Sequence, residues 1–287
     1  MKLSTIEYSE LDGTAQAWVL DRCTFAQKTL LVGKNASGKS RTLRVIFGLA
    51  NHLAGILPPT SSATYNCTFK DADREYSYHC MMNEGHVLAE VLRADNKILL
   101  ERGIGGVGKI LAEKIDGGVH IDFQTPTTEF AAVARRDSIQ HPFLEPLYQW
   151  ASAVRYFQFG SNIGKDHFAH FIQNRPPLDE RNQASVVPLF RTAKKDFEEK
   201  FINNLINDMG SLDYHLESVD IGPPVSFAAP QEIAQVVGLR VKETDLTGLT
   251  ASHYTHARNI GSRVIKGVSG WAGRNRNSRR LIWVTRV

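Results

Sequence analysis

Apolar positions along the N-terminal part of this chain alternate with polar ones, while later segments repeat them at helical spacing, so strands are expected first and helices after. Met1 to Leu11 and Ala17 to Phe25 read as two strands joined by the turn signal Asp12-Gly13. The unbroken apolar run Thr29-Leu30-Leu31-Val32 reads as a buried strand. Arg41 to Leu57 then places Leu43, Ile46, Phe47, Ala50, Leu53 and Leu57 on one side of a helix. After the loop Pro58-Pro59-Thr60-Ser61-Ser62, β-like runs recur at Thr64 to Phe69, Glu75 to Cys80, Val87 to Ala94 and Lys97 to Arg102. Their separators, Asp71-Ala72-Asp73, Asn83-Glu84-Gly85 and Asp95-Asn96, are hairpin chemistry, which predicts an antiparallel meander.

From Thr128 the period changes. Phe130 to Arg135 and Pro142 to Phe159 read as helices, the second carrying Leu144, Leu147, Tyr148, Ala151, Val154 and Arg155 at helical spacing. Phe159 to Asn162 and the polar Gln173 to Ser185 read as loop. A further amphipathic helix is predicted over Val187 to Met209. It has Leu189, Phe190, Phe197, Phe201, Leu205 and Ile206 on one side, and Lys194, Lys195, Glu198, Glu199 and Lys200 form a solvated face.

A length of 287 residues with 42% hydrophobic content suits one large domain or two small ones with a sizeable core. The first residues meet Glu7 before any apolar run, so no signal peptide is expected. The longest apolar stretch, Val45 to Leu57, is interrupted by Asn51 and His52 and is too short to span a bilayer. Cys23, Cys67 and Cys80 form no CxxC pair and cannot all be disulfide-bonded. A reducing, cytoplasmic location follows, with the thiols as small buried residues in preference to metal ligands.

Charge is unevenly placed. No acidic residue follows Asp245, whereas Arg258, Arg263, Lys266, Arg274, Arg276, Arg279, Arg280 and Arg286 do. Without these eight, the 34 basic residues fall to 26 against 30 acidic, so the net +4 divides into −4 for the body and +8 for the tail.

The segment Gly33-Lys34-Asn35-Ala36-Ser37-Gly38-Lys39-Ser40 fits the phosphate-loop pattern of Gly, four residues, Gly, Lys and Ser or Thr. Gly33 and Gly38 let the backbone turn tightly and bring N–H groups onto an anion. Lys39 is placed to reach the β and γ phosphates, and the Ser40 hydroxyl is placed as a Mg²⁺ ligand. The helix that follows turns its positive end toward the phosphates. A second Gly-rich run, Gly103-Ile104-Gly105-Gly106-Val107-Gly108, lacks the βαβ context and spacing of a dinucleotide fingerprint and reads as a flexible hairpin loop.

With Asn35 at its third position and Ser-Gly-Lys-Ser at its end, the loop resembles that of the ABC-type ATPase clade, which includes the SMC and OLD-like proteins and related bacterial AAA family ATPases. The resemblance spans about residues 1 to 250. It implies an α/β P-loop NTPase fold of ABC-ATPase type, with an antiparallel meander, a helical subdomain and an incomplete C-terminal part of the core sheet. It further implies ATP and Mg²⁺ as ligands, ATP hydrolysis as the family activity, and a nucleotide sandwiched between the subunits of a homodimer or by a partner subunit. Val241 to Thr250 looks like the family's approach to its signature helix. Beyond it the Ser-Gly-Gly or Ser-Gln-Gly signature, the strand closed by Asp-Glu and the switch His are absent from the sequence.

Without that strand the catalytic residues are unknown. Ile98-Leu99-Leu100-Glu101 and Val119-His120-Ile121-Asp122 end in acids but fall in the meander, where solvent-facing roles are expected. Gln158 sits roughly where the family places a Gln that senses Mg²⁺ and the γ-phosphate, and it also reads as an ordinary surface residue. His253 and His256 have a spacing that suits metal on a helix but no third ligand nearby. The expected domains are 1–250, the ATPase, and 251–287, a basic tail. Gly267 to Arg280 has the composition of a DNA- or RNA-binding arm, and also that of a shifted reading frame. Two functions follow: an ATP-binding protein of the ATPase type with doubtful turnover, or a non-catalytic nucleotide-binding or DNA-associated module with a basic C-terminal arm.

Overall fold

The computed structural model describes residues 1–114, 118–158, 168–170, 186–211, 215–222, 236–243 and 281–284. They belong to two units, Met1–Val154 and Arg155–Val287.

In the first unit, strands β1 (Lys2–Glu10), β2 (Trp18–Thr24), β3 (Ser62–Asp71), β4 (Arg74–Asn83), β5 (His86–Ala94), β6 (Lys97–Arg102), β7 (Val107–Ala112) and β8 (Val119–Gln124) form one sheet in the order β2-β1-β3-β4-β5-β6-β7-β8. Every neighbouring pair is antiparallel. The turn residues dictate this. Glu84 and Gly85 have φ of 49° and 77°, and Asp95 and Asn96 have φ of 49° and 68°. Two successive left-handed residues make the tight turn whose twist matches that of the flanking strands. A link of two residues can join only antiparallel neighbours.

Alternation along these strands sets the core. Tyr65, Cys67 and Phe69 on β3, Tyr76, Tyr78, Cys80 and Met82 on β4, and Leu92 on β5 are buried on one face. Helices α1 (Lys39–Leu53), α2 (Ala131–Ala134) and α3 (Glu145–Ala153) supply apolar partners. Leu43, Ile46, Leu49, Ala50 and Leu53 are buried on α1, and Leu147, Trp150 and Ala151 on α3. The Trp150 ring meets Phe69 edge-on at 4.8 Å, and His52 of α1 lies 5.1 Å from Phe130. Of the three thiols, Cys67 and Cys80 are buried core residues and Cys23 is half-buried.

These observations correct the expected fold. The predicted α/β architecture requires Thr29–Val32 as a buried strand of a parallel core sheet, yet these residues are irregular, with Leu30 72% and Val32 74% exposed. A parallel neighbour needs a crossover of a dozen or more residues, and the short hairpin links from β3 onward leave no room for one. The strands of the predicted meander are present, and β7 and β8 extend the sheet beyond it. The Gly-rich run is the β6–β7 hairpin, where a Cβ on Gly106 would overlap the Thr125 carbonyl oxygen and one on Gly108 would overlap that of Glu101. Close backbone approach therefore requires those glycines.

In the second unit, β9 (Arg155–Gln158) pairs in parallel with β13 (Leu281–Val284). The predicted helix through Phe159 instead stops at Ala153, because Val154 is extended and the run Arg155-Tyr156-Phe157 favours strand. Strands β10 (Phe168–His170), β11 (Leu216–Gly222) and β12 (Val236–Glu243) form an antiparallel sheet in the order β10-β12-β11. Helix α4 (Val186–Gly210) is interrupted at Glu198, where φ is 49°. Its Phe190 and Phe201 rings meet at 5.3 Å, and Lys194 Nζ pairs with Asp220 of β11 at 2.7 Å. Among the described residues, no helix is long and apolar enough to cross a membrane.

Candidate phosphate-binding site

The chain leaves β2 at Thr24, runs over the surface through Leu31, turns at Lys34 to Gly38 and enters α1 at Lys39. The turn closes with the Ser37 N–H donating to the Lys34 carbonyl at 3.2 Å. Ala36 and Gly38 have φ of 63° and 88°, the left-handed geometry that curls a loop back over a helix start. A side chain at Gly38 would be strained at that φ, and its Cβ would meet the Trp18 ring at 3.5 Å. A Cβ on Gly33 would come within 2.8 Å of Ser37 Oγ.

Lys39 turns back into the loop. Its ammonium donates to the Gly33 carbonyl at 2.6 Å and the Lys34 carbonyl at 2.7 Å, with Ser37 Oγ at 3.4 Å. A cation is thus held inside the curve of the loop by neutral oxygens. Helix α1 has no side-chain N-cap and no acid in its first turn, leaving its free N–H groups and positive dipole end without a negative partner of its own. Lys34 and Arg44 add positive charge nearby. The loop residues 32–37 and Ser40 are exposed. Ser40, the predicted Mg²⁺ ligand, is exposed next to Lys39 in the first turn of α1. Of the eight residues predicted for the site, Lys34, Asn35, Ala36, Ser37 and Gly38 form the turn, Gly33 precedes it, and Lys39 and Ser40 begin α1.

Two residues of the β1–β2 hairpin meet the start of α1. Glu10 and Trp18 are cross-strand partners on β1 and β2. The Arg41 guanidinium pairs with Glu10 Oε1 and lies 4.4 Å from the Trp18 ring centroid. Tyr8 Oη donates to Glu10 Oε2, and burial followed by the Glu10 carboxylate pushes this phenol well above its ordinary range. No motif marks this group in the sequence. The available signal is an arginine in the first turn of a helix, where the dipole disfavours it unless an acid from elsewhere compensates.

The other candidates lie elsewhere. Glu101 and Asp122 both face solvent, aligned with Lys109 on the sheet surface. In strand order β6 and β8 are five and seven places from β2, roughly 24 and 34 Å along the sheet at about 4.8 Å per strand. Gln158 ends β9 in the second unit. His253, His256 and the arginines from Arg258 to Arg280 fall outside the described residues. Among the described residues, no group of three or more His, Cys, Asp and Glu is placed to hold a metal ion.

Comparison with protein-family models found no match, and comparison with curated proteins found no significant relative.

Proposed function

We propose that residues 33–40 bind the phosphates of a nucleoside triphosphate, ATP with Mg²⁺, and that this chain is an ATP-binding protein. The observation that carries this reading is the Lys39 ammonium held in the curve of a Gly-turned loop at the start of a helix with no acid in its first turn. Anion capture by a loop and a helix start is a local property that does not need a parallel sheet behind it. Ser40 is the proposed Mg²⁺ ligand. In titrations of a fluorescent ATP analogue, saturable binding that ATP competes away and that EDTA weakens is expected. Binding that is unchanged by EDTA, or absent, removes the reading.

Turnover is expected to be negligible. Hydrolysis needs a group that orients or deprotonates the attacking water. Glu10, which is linked to α1 through Arg41, is already engaged by Arg41 and Tyr8, and no acid follows Asp245. Phosphate release is therefore expected at the level of the Lys39→Ala blank, and Glu101→Ala and Asp122→Ala are expected to leave it there. Release clearly above that blank would contradict this.

A second reading is favoured by the charge asymmetry, with eight cations and no acid after Asp245. We propose that this segment binds nucleic-acid backbones without sequence preference. Deleting residues 252–287 is expected to leave ATP binding intact and remove a salt-sensitive association with duplex DNA. The salt slope should flatten by about one counterion for every DNA phosphate that the segment neutralises. An unchanged salt slope after deletion contradicts it.

A further inference from the structure

The proposed phosphate site leaves a mechanical problem. Within the loop, the side-chain ties at its centre are those of Lys39 to the Gly33 and Lys34 carbonyls. A bound phosphate competes for that ammonium, so binding loosens the hydrogen bonds that shape the loop in the free protein. Something outside the loop must then hold the start of α1.

We propose that Arg41 is a positioning residue for the phosphate loop, acting through Glu10 and Trp18. It ties the first turn of α1 to the β1–β2 hairpin, so that the loop keeps its curvature when phosphate draws Lys39 away. The proposal rests on the reading of residues 33–40 as a phosphate site.

Four observations carry it. Arg41 stands at the positive end of the α1 dipole, two residues after Lys39, with no acid in the helix's own first turn. Its neutralising partner comes from another element, Glu10 of β1. The partner is itself fixed on both oxygens: Oε1 receives Arg41, and Oε2 receives Tyr8 Oη. Tyr8 is anchored in the core, 4.7 Å from the Tyr65 ring and 5.9 Å from Trp18. Trp18 completes the arrangement, because its ring lies beneath the Arg41 guanidinium and also within 3.5 Å of a Cβ position on Gly38, the last loop residue before α1. A continuous chain of side chains therefore runs from the core through Tyr8, Glu10, Arg41 and Trp18 to the loop.

A direct phosphate ligand would need a mobile guanidinium. Here the carboxylate engages Nη2 and the guanidinium carbon sits 4.4 Å over the indole centroid, so its charge is already paired. Breaking either interaction leaves a loop that must be ordered at the moment of binding, and that cost appears as weaker affinity.

The test measures the affinity of a fluorescent ATP analogue with Mg²⁺, together with the melting temperature, for wild type, Glu10→Gln, Arg41→Gln, Arg41→Lys, the Glu10→Gln/Arg41→Gln double variant and Lys39→Ala. Glu10→Gln and Arg41→Gln are each expected to weaken binding about tenfold, and the double variant by no more than either alone, because both remove one interaction. Arg41→Lys is expected to restore part of the loss, since it keeps a charge for Glu10 but not the guanidinium that lies over Trp18. Melting temperatures should stay near wild type, as the Glu10–Arg41 pair is partly exposed and such pairs add little stability. Weakening by Arg41→Gln with no weakening by Glu10→Gln would make Arg41 a phosphate ligand and overturn the proposal. So would unchanged affinity in both, or affinity losses that track a falling melting temperature. Wild-type affinity in Lys39→Ala would instead strike at the phosphate site itself, which separates the two failures.

Discussion

Arg102→Leu is expected to destabilise the chain by about 3–5 kcal/mol, the largest stability effect expected of a single substitution, because it strips the cation from a fully buried ion pair. Arg102 of β6 and Glu90 of β5 have no exposed side-chain surface, with Arg102 Nη1 3.8 Å from Glu90 Oε2. Each also holds backbone. Arg102 donates to the Glu129 carbonyl at 2.5 Å and the Pro126 carbonyl at 2.9 Å. Glu90 accepts from the Ala131 and Ala132 N–H groups at 2.6 and 3.0 Å and from Tyr78 Oη at 3.0 Å. The pair thus fastens residues 126–132 and the start of α2 onto the sheet. Leucine would leave the carboxylate buried without its counter-charge, and the Glu129 and Pro126 carbonyls without their donor. Glu90→Gln is expected to cost about 1–3 kcal/mol, since one carboxylate oxygen becomes an NH₂ facing N–H donors. The double variant should cost less than the two single losses together. Urea titrations of the four proteins measure this, and losses that simply add would show that the two residues act separately.

The same carboxylate has a pH signature. Burial raises the Glu90 pKa, against the opposing pull of its three donors and Arg102. A group whose folded pKa is raised contributes stability that is complete below the unfolded carboxylate pKa and is lost as pH climbs through the folded one. Stability of the wild type relative to Glu90→Gln is therefore expected to fall across that window. A difference that rises with pH would reverse the assignment.

Lys39→Ala is expected to weaken Mg²⁺-ATP binding by about 100-fold or more, the largest functional effect. That factor corresponds to about 2.7 kcal/mol. A single close charge pair near a protein surface interacts by about 1–4 kcal/mol between the limits of bulk water and a partly screened site, and the β and γ phosphates carry more than one charge. The ammonium already sits within the loop on the Gly33 and Lys34 carbonyls, so little reorganisation is needed to transfer it to phosphate. The fold should be unaffected, because Lys39 lies at the surface start of α1.

How much of this can be read from residues alone divides along physical lines. Strands β3 to β6 are legible because the alternation at Tyr65, Cys67 and Phe69 and the turns Glu84-Gly85 and Asp95-Asn96 are local signals. The turn at Lys34 to Gly38 and the helix after it are legible for the same reason. Thr29–Val32 misleads because a short apolar run reads as a buried strand whether or not the rest of the chain provides it with neighbours, and here Leu30 and Val32 face solvent. A parallel core follows only from resemblance at the loop, which constrains a turn and one helix but not a sheet. Long-range pairs have no sequence signal of that kind. Glu10 and Arg41 lie 31 residues apart, and Glu90 caps α2 across 41 residues of chain. Such pairings depend on strand register, which neither composition nor spacing specifies.

The most direct test of the central claim is isothermal titration of ATP, with Mg²⁺ present, into the wild-type chain and Lys39→Ala. A saturable single-site isotherm is expected for the wild type and no measurable heat of binding for Lys39→Ala at the same concentrations, with both proteins giving the same circular dichroism spectrum. Equal affinities in the two proteins would contradict the assignment of residues 33–40 as a phosphate site.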